Sequence, residues 1–168
     1  MNKAQFENKI TTVKKLHEIR EEWQKNNCCI CFTNGCFDIL HKGHVKYLSE
    51  AKALGDILVV GVNSDDSVRR LNKAPNRPVN DEASRAYLIA ALEFVDVVVV
   101  FSESTPENLI NAIVPDVLVK GGDYDPREED RNHPKYIVGR DVVLKNGGSV
   151  KTIDFVEGFS TTETLKKL

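Results

Sequence analysis

The stretch Cys28-Cys29-Ile30-Cys31-Phe32-Thr33-Asn34-Gly35-Cys36-Phe37-Asp38-Ile39-Leu40-His41-Lys42-Gly43-His44 changes character halfway along. From Cys28 to Thr33 it is a short, almost wholly apolar run, the pattern of a strand buried on both faces of a parallel sheet. From Asn34 it turns polar and glycine-bearing, then hands over near Val45 to a helical spacing, Val45, Leu48 and Ala51, that closes toward Gly55 as a C′ glycine. The first turn of such a helix presents unpaired N–H groups and the positive end of a dipole, and Gly43 lets the backbone come close to an anion. His41 and His44 are three residues apart, so both imidazoles can aim at one point, and either protonation state can donate to a phosphate oxygen. The plainer alternative makes one histidine a helix cap and the other a satisfied core residue. Two histidines in H-x-G-H after a buried strand favour an anion clamp.

Working outward, Ile57–Val62 and Val97–Phe101 repeat the compact β-branched pattern, and Val117–Val119 is a shorter example. Lys151–Phe155 alternates polar and apolar, as an edge strand should. Helical patterns lie between: Val13, Leu16, Ile19 and Trp23 after the candidate caps Thr11 and Thr12, then Ser67–Leu71, Ala83–Leu92, and a start at Thr105-Pro106-Glu107 with Thr105 as cap. Strand alternating with helix predicts an α/β fold, a Rossmann-like doubly wound parallel sheet with helices on both faces and ligands at the carboxyl ends of its strands. One domain over 1–168 is expected, with 1–27 as an N-terminal helical segment. Residues 125–135 are nearly all charged or Pro and lack periodicity, which predicts a surface excursion and a candidate lid.

With 168 residues, 41% hydrophobic and 29% charged, the chain has the balance of an ordinary globular domain. A net charge of -2 supplies no general field for nucleic acid or an anionic membrane, so neither is expected as a partner. No apolar run approaches the roughly 20 residues of a membrane span, and Met1–Ile10 lacks the apolar stretch of a signal peptide; a cytoplasmic location is the expectation. Cys28, Cys29, Cys31 and Cys36 are too close together for good disulfides and read as reduced residues in preference to a metal site. The phosphate-binding patterns G-x-G-x-x-G after the first strand and G-x-x-x-x-G-K-[ST] are both missing, which removes support for hydride transfer and P-loop hydrolysis.

The segment around H-x-G-H resembles the signature of the HIGH-motif nucleotidyltransferases, which include cytidylyltransferases, phosphopantetheine adenylyltransferase and class I aminoacyl-tRNA synthetase domains. Within them the chain is most similar to the heptose 1-phosphate adenylyltransferases of ADP-heptose synthesis. The resemblance runs in order through Phe32–Asp38, Gly61–Asp65, Arg77-Pro78-Val79, Val119–Tyr124 and Gly158–Thr162. It implies transfer of AMP from ATP to a sugar 1-phosphate with release of pyrophosphate. His41 and His44 would bind the triphosphate and stabilise the pentacovalent transition state, and Thr33 with neighbouring backbone would hold the α-phosphate. Asn34, Gly35, Cys36, Phe37, Gly43, Asn63, Asp65, Gly121 and Asp123 fall in the nucleotide-binding motifs, and Ser160, Thr161 and Thr162 would close the site from the last helix. Ser160 to Glu163 also reads as a capping box, and the two readings are compatible.

Three basic residues complete the expected constellation: Lys120 at a strand end, Arg85 on the helix after Arg77-Pro78-Val79, and Lys73 in a polar loop. Lys120 is assigned with the histidines to catalysis, Arg85 and Lys73 to the nucleotide. Asp38, the nearest carboxylate, could orient a histidine, contact a metal shell or bind an acceptor hydroxyl; it is assigned to the substrate, with the three roles left open. Mg2+ is expected to arrive on the triphosphate and keep several waters, needing few protein ligands and no resident metal site. Glycerol 3-phosphate cytidylyltransferases carry an arginine three residues before the glycine of their final motif, where this chain has Phe155. Alternatives are a cytidylyltransferase acting on an alcohol phosphate and a non-catalytic nucleotide-binding regulator. In bifunctional relatives a sugar kinase precedes this domain, so a separate kinase is expected here, and the resemblance implies a homo-oligomer.

Overall fold

The structure, a computed structural model, describes residues 6–72, 75–161 and 164. The strands are β1 (Ile10–Thr11), β2 (Ile30–Gly35), β3 (Ile57–Asn63), β4 (Val97–Phe101), β5 (Val117–Gly121) and β6 (Ser149–Ile153). The helices are α1 (Val13–Lys25), α2 (Lys42–Lys52), α3 (Asp65–Arg70), α4 (Glu82–Ala90), α5 (Glu107–Ile113) and α6 (Arg140–Lys145). All strand pairs are parallel, in the order β1-β4-β3-β2-β5-β6. From β2 the chain steps outward through β3 and β4, then returns through α5 to place β5 on the other side of β2. The switch point of this doubly wound sheet therefore lies between β2 and β5, where side connections diverge and leave a crevice.

The apolar runs pair as their composition demands. Ile30, Cys31 and Phe32 are buried to within 1% and face Ile57, Leu58 and Val59 in register. Alternation sends Cys31 and Val60 to one face, packed with Leu48, Ala51, Ala86 and Ile89 of α2 and α4. Phe32 and Val59 go to the other, packed with Leu16 of α1, Ile110 and Ile113 of α5 and Val143 of α6. Burial pushes the Cys31 thiol up to about 12, the behaviour of a core residue.

Several boundaries differ from the sequence expectation. β2 begins at Ile30, because Cys28 and Cys29 are half-buried and follow Asn27, whose φ of 55° closes the end of α1. The pairing of β1 with β4 went unforeseen, since two residues are too few to show a period. Helix α2 starts at Lys42, so both histidines belong to its N-terminus. Its C-cap is Ala53 in the right-handed region, and Gly55 is glycine for another reason: a Cβ there would lie 2.8 Å from the Cys29 carbonyl oxygen. The cap of α5 is Pro106, whose carbonyl accepts from Ile110 N–H, and not Thr105. Helix α6 was missed altogether; it is six residues long and opens on Gly139 at φ 88°. The strand expected at Lys151–Phe155 is β6, and it lies at the sheet edge as anticipated.

Candidate active site

A cavity of about 680 Å³ opens at the carboxyl ends of β2 and β5, at the switch point. One wall is the start of α2. His41 is its N-cap, with extended backbone (φ -140°, ψ 169°), and its ring Nδ1 accepts from the His44 N–H at 3.4 Å. An imidazole is an unusual cap, yet it accepts from the first-turn amide that an Asp or Ser would reach, an amide that also donates to the His41 carbonyl at 2.9 Å. The bond also settles the tautomer: with Nδ1 accepting, a neutral His41 carries its proton on Nε2. Gly43 permits this fold-back, since a Cβ there would sit 3.0 Å from two His41 ring atoms. The His41 and His44 rings stack at 3.8 Å and 16°, and Phe37 meets the His44 ring edge-on at 5.3 Å. Burial, and then the neighbouring imidazole, hold His44 at about 4, while burial also lowers His41. Both rings are therefore neutral hydrogen-bond donors near pH 7.

The facing wall comes from β5. Lys120 is 8% exposed, donates from Nζ to Asn34 Oδ1 at 2.6 Å, and lies 5.3 Å from the Tyr124 ring centroid. The ammonium is thereby held over the crevice between the two central strands. Asn34, Gly35, Cys36, Phe37, Gly43, Asn63, Gly121, Asp123, Ser160 and Thr161 all line the cavity with the two histidines and Lys120. Asn63 also donates to Ser67 Oγ at 2.9 Å, tying the end of β3 to α3. The capping box expected at Ser160 falls partly outside the described residues, as do Thr162 and Lys73; within them, Thr164 N–H reaches the Ser160 carbonyl at 3.0 Å.

Four assigned side chains stand behind the cavity and not in it. Thr33 is fully buried and its hydroxyl lies 2.7 Å from the Tyr47 hydroxyl, beneath the cavity lining. Arg85 is fully buried, and each of its three nitrogens donates: Nε to the Asn80 carbonyl at 2.9 Å, Nη1 to the carbonyls of Cys36 and Asn63 at 2.7 Å each, and Nη2 to Asp65 Oδ1 at 2.7 Å. It stitches together the loop after β2, the end of β3 and the entry to α4, and it takes the Asp65 carboxylate with it. Asp38, 2% exposed, accepts from the Val79 and Asn80 amides at 2.7 and 3.1 Å, with Arg77 Nε 3.6 Å from its other oxygen. Its role is to clip segment 77–80 against the loop that carries Phe37. Thr33, Arg85 and Asp38 are buried and Asp65 is paired with Arg85, so in this structure these four side chains stand behind the cavity wall.

Other residues reach the cavity unannounced. The charged excursion closes on itself through Asp125 N–H to the Lys135 carbonyl, and it brings Arg131, His133 and Tyr136 to the cavity wall. Arg131 and Tyr136 both bind Asp141, at 2.8 and 3.1 Å, which ties the excursion to α6. Its composition signalled a surface excursion and candidate lid without naming the residues that would face the cavity. Tyr47, Phe155 and Phe159 also line the cavity; Tyr47 lies one turn after His44 on α2, a spacing that would have found it.

Comparison with known proteins agrees with this geometry. The family described as Cytidylyltransferase-like matches residues 32–166. The bifunctional protein HldE of Campylobacter concisus is 52% identical over 165 residues, 98% of this chain and 32% of the relative; that of Syntrophotalea carbinolica is 47% identical over 164 residues, with the same coverage. The chain thus spans about a third of the length of these curated relatives. Among solved structures, the lipopolysaccharide core biosynthesis protein of Thermoplasma volcanium is 32% identical with a TM-score of 0.58, covering 77% of this chain and 97% of that one. The pantoate-beta-alanine ligase of Francisella tularensis, solved with an ATP compound and beta-alanine, is 17% identical with a TM-score of 0.65 over 95% of this chain and 72% of its own, a likeness of fold alone.

Proposed function

Since the chain belongs to the cytidylyltransferase-like family of nucleotidyltransferases, we propose that it transfers AMP from ATP to a sugar 1-phosphate, a heptose 1-phosphate, releasing pyrophosphate in the synthesis of an ADP-heptose precursor of lipopolysaccharide. The observation that carries the reading is the pair of stacked, neutral imidazoles at the N-terminus of α2, facing Lys120 across the switch-point crevice. Such a set neutralises and aligns; it has no need of a covalent intermediate.

An oxygen of the acceptor phosphate attacks the α-phosphorus in line, the bond from that phosphorus to the bridging oxygen breaks, and pyrophosphate leaves with the electron pair. The Nε2–H of His41, the His44 ring, the free N–H groups of α2 and the Lys120 ammonium meet the charge that builds on the phosphoryl oxygens. Asn34 positions Lys120, and Arg85 and Asp38 hold the loop between β2 and α2 to the geometry the histidines need. The cavity wall is rich in donors, and among the described residues no three His, Cys, Asp or Glu side chains converge. Mg2+ therefore suits this site as part of the MgATP substrate, carried by triphosphate oxygens with its own waters.

In this reading Phe155, in place of a cation, favours the sugar-phosphate assignment over a glycerol 3-phosphate cytidylyltransferase. The test is a pyrophosphate-release assay crossing ATP, CTP and GTP with heptose 1-phosphates and glycerol 3-phosphate. Release with ATP and a heptose 1-phosphate alone is the expected result. Release with CTP and glycerol 3-phosphate would replace the assignment, and nucleotide binding with no release under any pairing would make the protein a regulator.

A further inference from the structure

Phe155 follows β6 at the cavity mouth and is 63% exposed, the most exposed large hydrophobic side chain among the described residues. It does not hang free. Its ring lies close enough against the end of β5 that a Cβ on Gly121 would be 2.4 Å from Cζ and 2.8 Å from Cε1, with the Asp123 carboxylate 2.9 Å from the same point. Phe155, Gly121 and Asp123 thus share one corner of the cavity. Glycine at 121 leaves the ring its seat, and the ring keeps an apolar face turned to water.

Charge divides the cavity between ligand parts. His41, His44 and the start of α2 form the wall that suits phosphates, and Lys120 faces them from the end of β5. Asp123 stands three residues beyond Lys120 with the opposite sign, so the corner it shares with Phe155 repels phosphate and suits a neutral group bearing N–H or O–H donors. Of the pieces of a nucleoside triphosphate and a sugar phosphate, only the base offers a flat π face to cover an exposed ring.

We propose that Phe155 is the platform on which the nucleotide base stacks, seated by Gly121 and flanked by Asp123 as acceptor for the nucleoside's donors, which makes residue 155 a determinant of nucleotide choice. The inference deepens the nucleotidyl-transfer reading and rests on it for the identity of the ligand.

The test measures binding of ATP and of inorganic tripolyphosphate, which has phosphates and no base, to the full chain. Phe155→Ala and Phe155→Leu should each weaken ATP about 10-fold, while Phe155→Tyr restores it and tripolyphosphate binds all forms alike. Gly121→Ala, which pushes the ring from its seat, should weaken ATP in the same direction. Phe155→Trp adds a second indole to a chain whose single tryptophan, Trp23, packs in the core; the added emission should be quenched by ATP and unchanged by tripolyphosphate. Wild-type affinity for ATP in Phe155→Leu, equal weakening of tripolyphosphate, or emission from the Phe155→Trp variant that ATP leaves unquenched overturns the proposal. Quenching without pyrophosphate release would keep the platform and remove the transfer reading; release without quenching would do the reverse.

Discussion

The two rims of the sheet are built from the same strands and could hardly differ more. At the amino rim, an aspartate immediately precedes each of β3, β4 and β5, and each reaches across to a neighbour: Asp56 accepts from Cys29 N–H at 2.8 Å, Asp96 from Leu58 N–H at 2.7 Å and Asp116 from Ile30 N–H at 2.7 Å. Asp96 also takes Lys52 at 2.7 Å. Strand-start amides find carboxylates there. At the carboxyl rim the corresponding polar groups, the α2 N-terminus, the imidazoles and Lys120, face an open crevice. Polar groups satisfied inside the protein contribute to stability, whereas those left facing a cavity are available to a ligand.

Arg85 tests that contrast from within, because it lies at the carboxyl rim and is wired like the amino rim. Arg85→Ala strands the Asp65 carboxylate and three carbonyls, and should cost about 3–5 kcal/mol in denaturant unfolding, with activity lost alongside. A folded, unweakened Arg85→Ala protein that had lost only ATP affinity would return Arg85 to the ligand. His44→Ala should do the opposite, lowering the rate of pyrophosphate release about 100- to 1000-fold, the loss of one transition-state donor, while the melting temperature holds. Full activity in that variant would leave the carboxyl rim without its proposed chemistry. Asp116→Ala, at the other rim, should lower stability by about 1 kcal/mol through the exposed Ile30 amide and leave kcat untouched; a change in kcat would mean that the rims are not independent.

The smallest effect is one of pH. His44 resists protonation down to about 4, whereas an unfolded histidine accepts a proton near 6.5. Between those values the unfolded state binds more protons, so stability falls as pH is lowered from 6.5 toward 4. His44→Gln should flatten that part of the profile in urea midpoints taken at pH 4.5 and 7; an unaltered slope would show that His44 is charged in the folded protein.

Much of this was legible in the chain. Long β-branched runs announced β3 and β4, and H-x-G-H after the first run announced the helix start that walls the cavity, because buried strands and helix starts leave patterns several residues long. What failed to show is decided by contacts distant in sequence. Arg85 and Asp38 look like any charged residue near a motif until their partners at Cys36, Asn63 and Val79 are in place. The excursion at 125–135 reads as a surface excursion and candidate lid; that Arg131 and His133 line the cavity shows only once Arg131 is tied to Asp141 of α6. The amino-rim aspartates follow a local rule, one carboxylate before each of β3, β4 and β5, whose purpose appears only with the strand order.

The capping bond of His41 reaches beyond geometry. A second proton on that ring could go only to Nδ1, where it would confront the His44 amide and loosen the opening turn of the helix. Protonation of the ring is thus opposed by the helix start, although the His44 amide keeps a second acceptor in the His41 carbonyl at 2.9 Å. Nucleotide capture by an intact helix should accordingly proceed without proton uptake at His41, and binding heats measured near neutrality in buffers of different ionisation enthalpy should coincide.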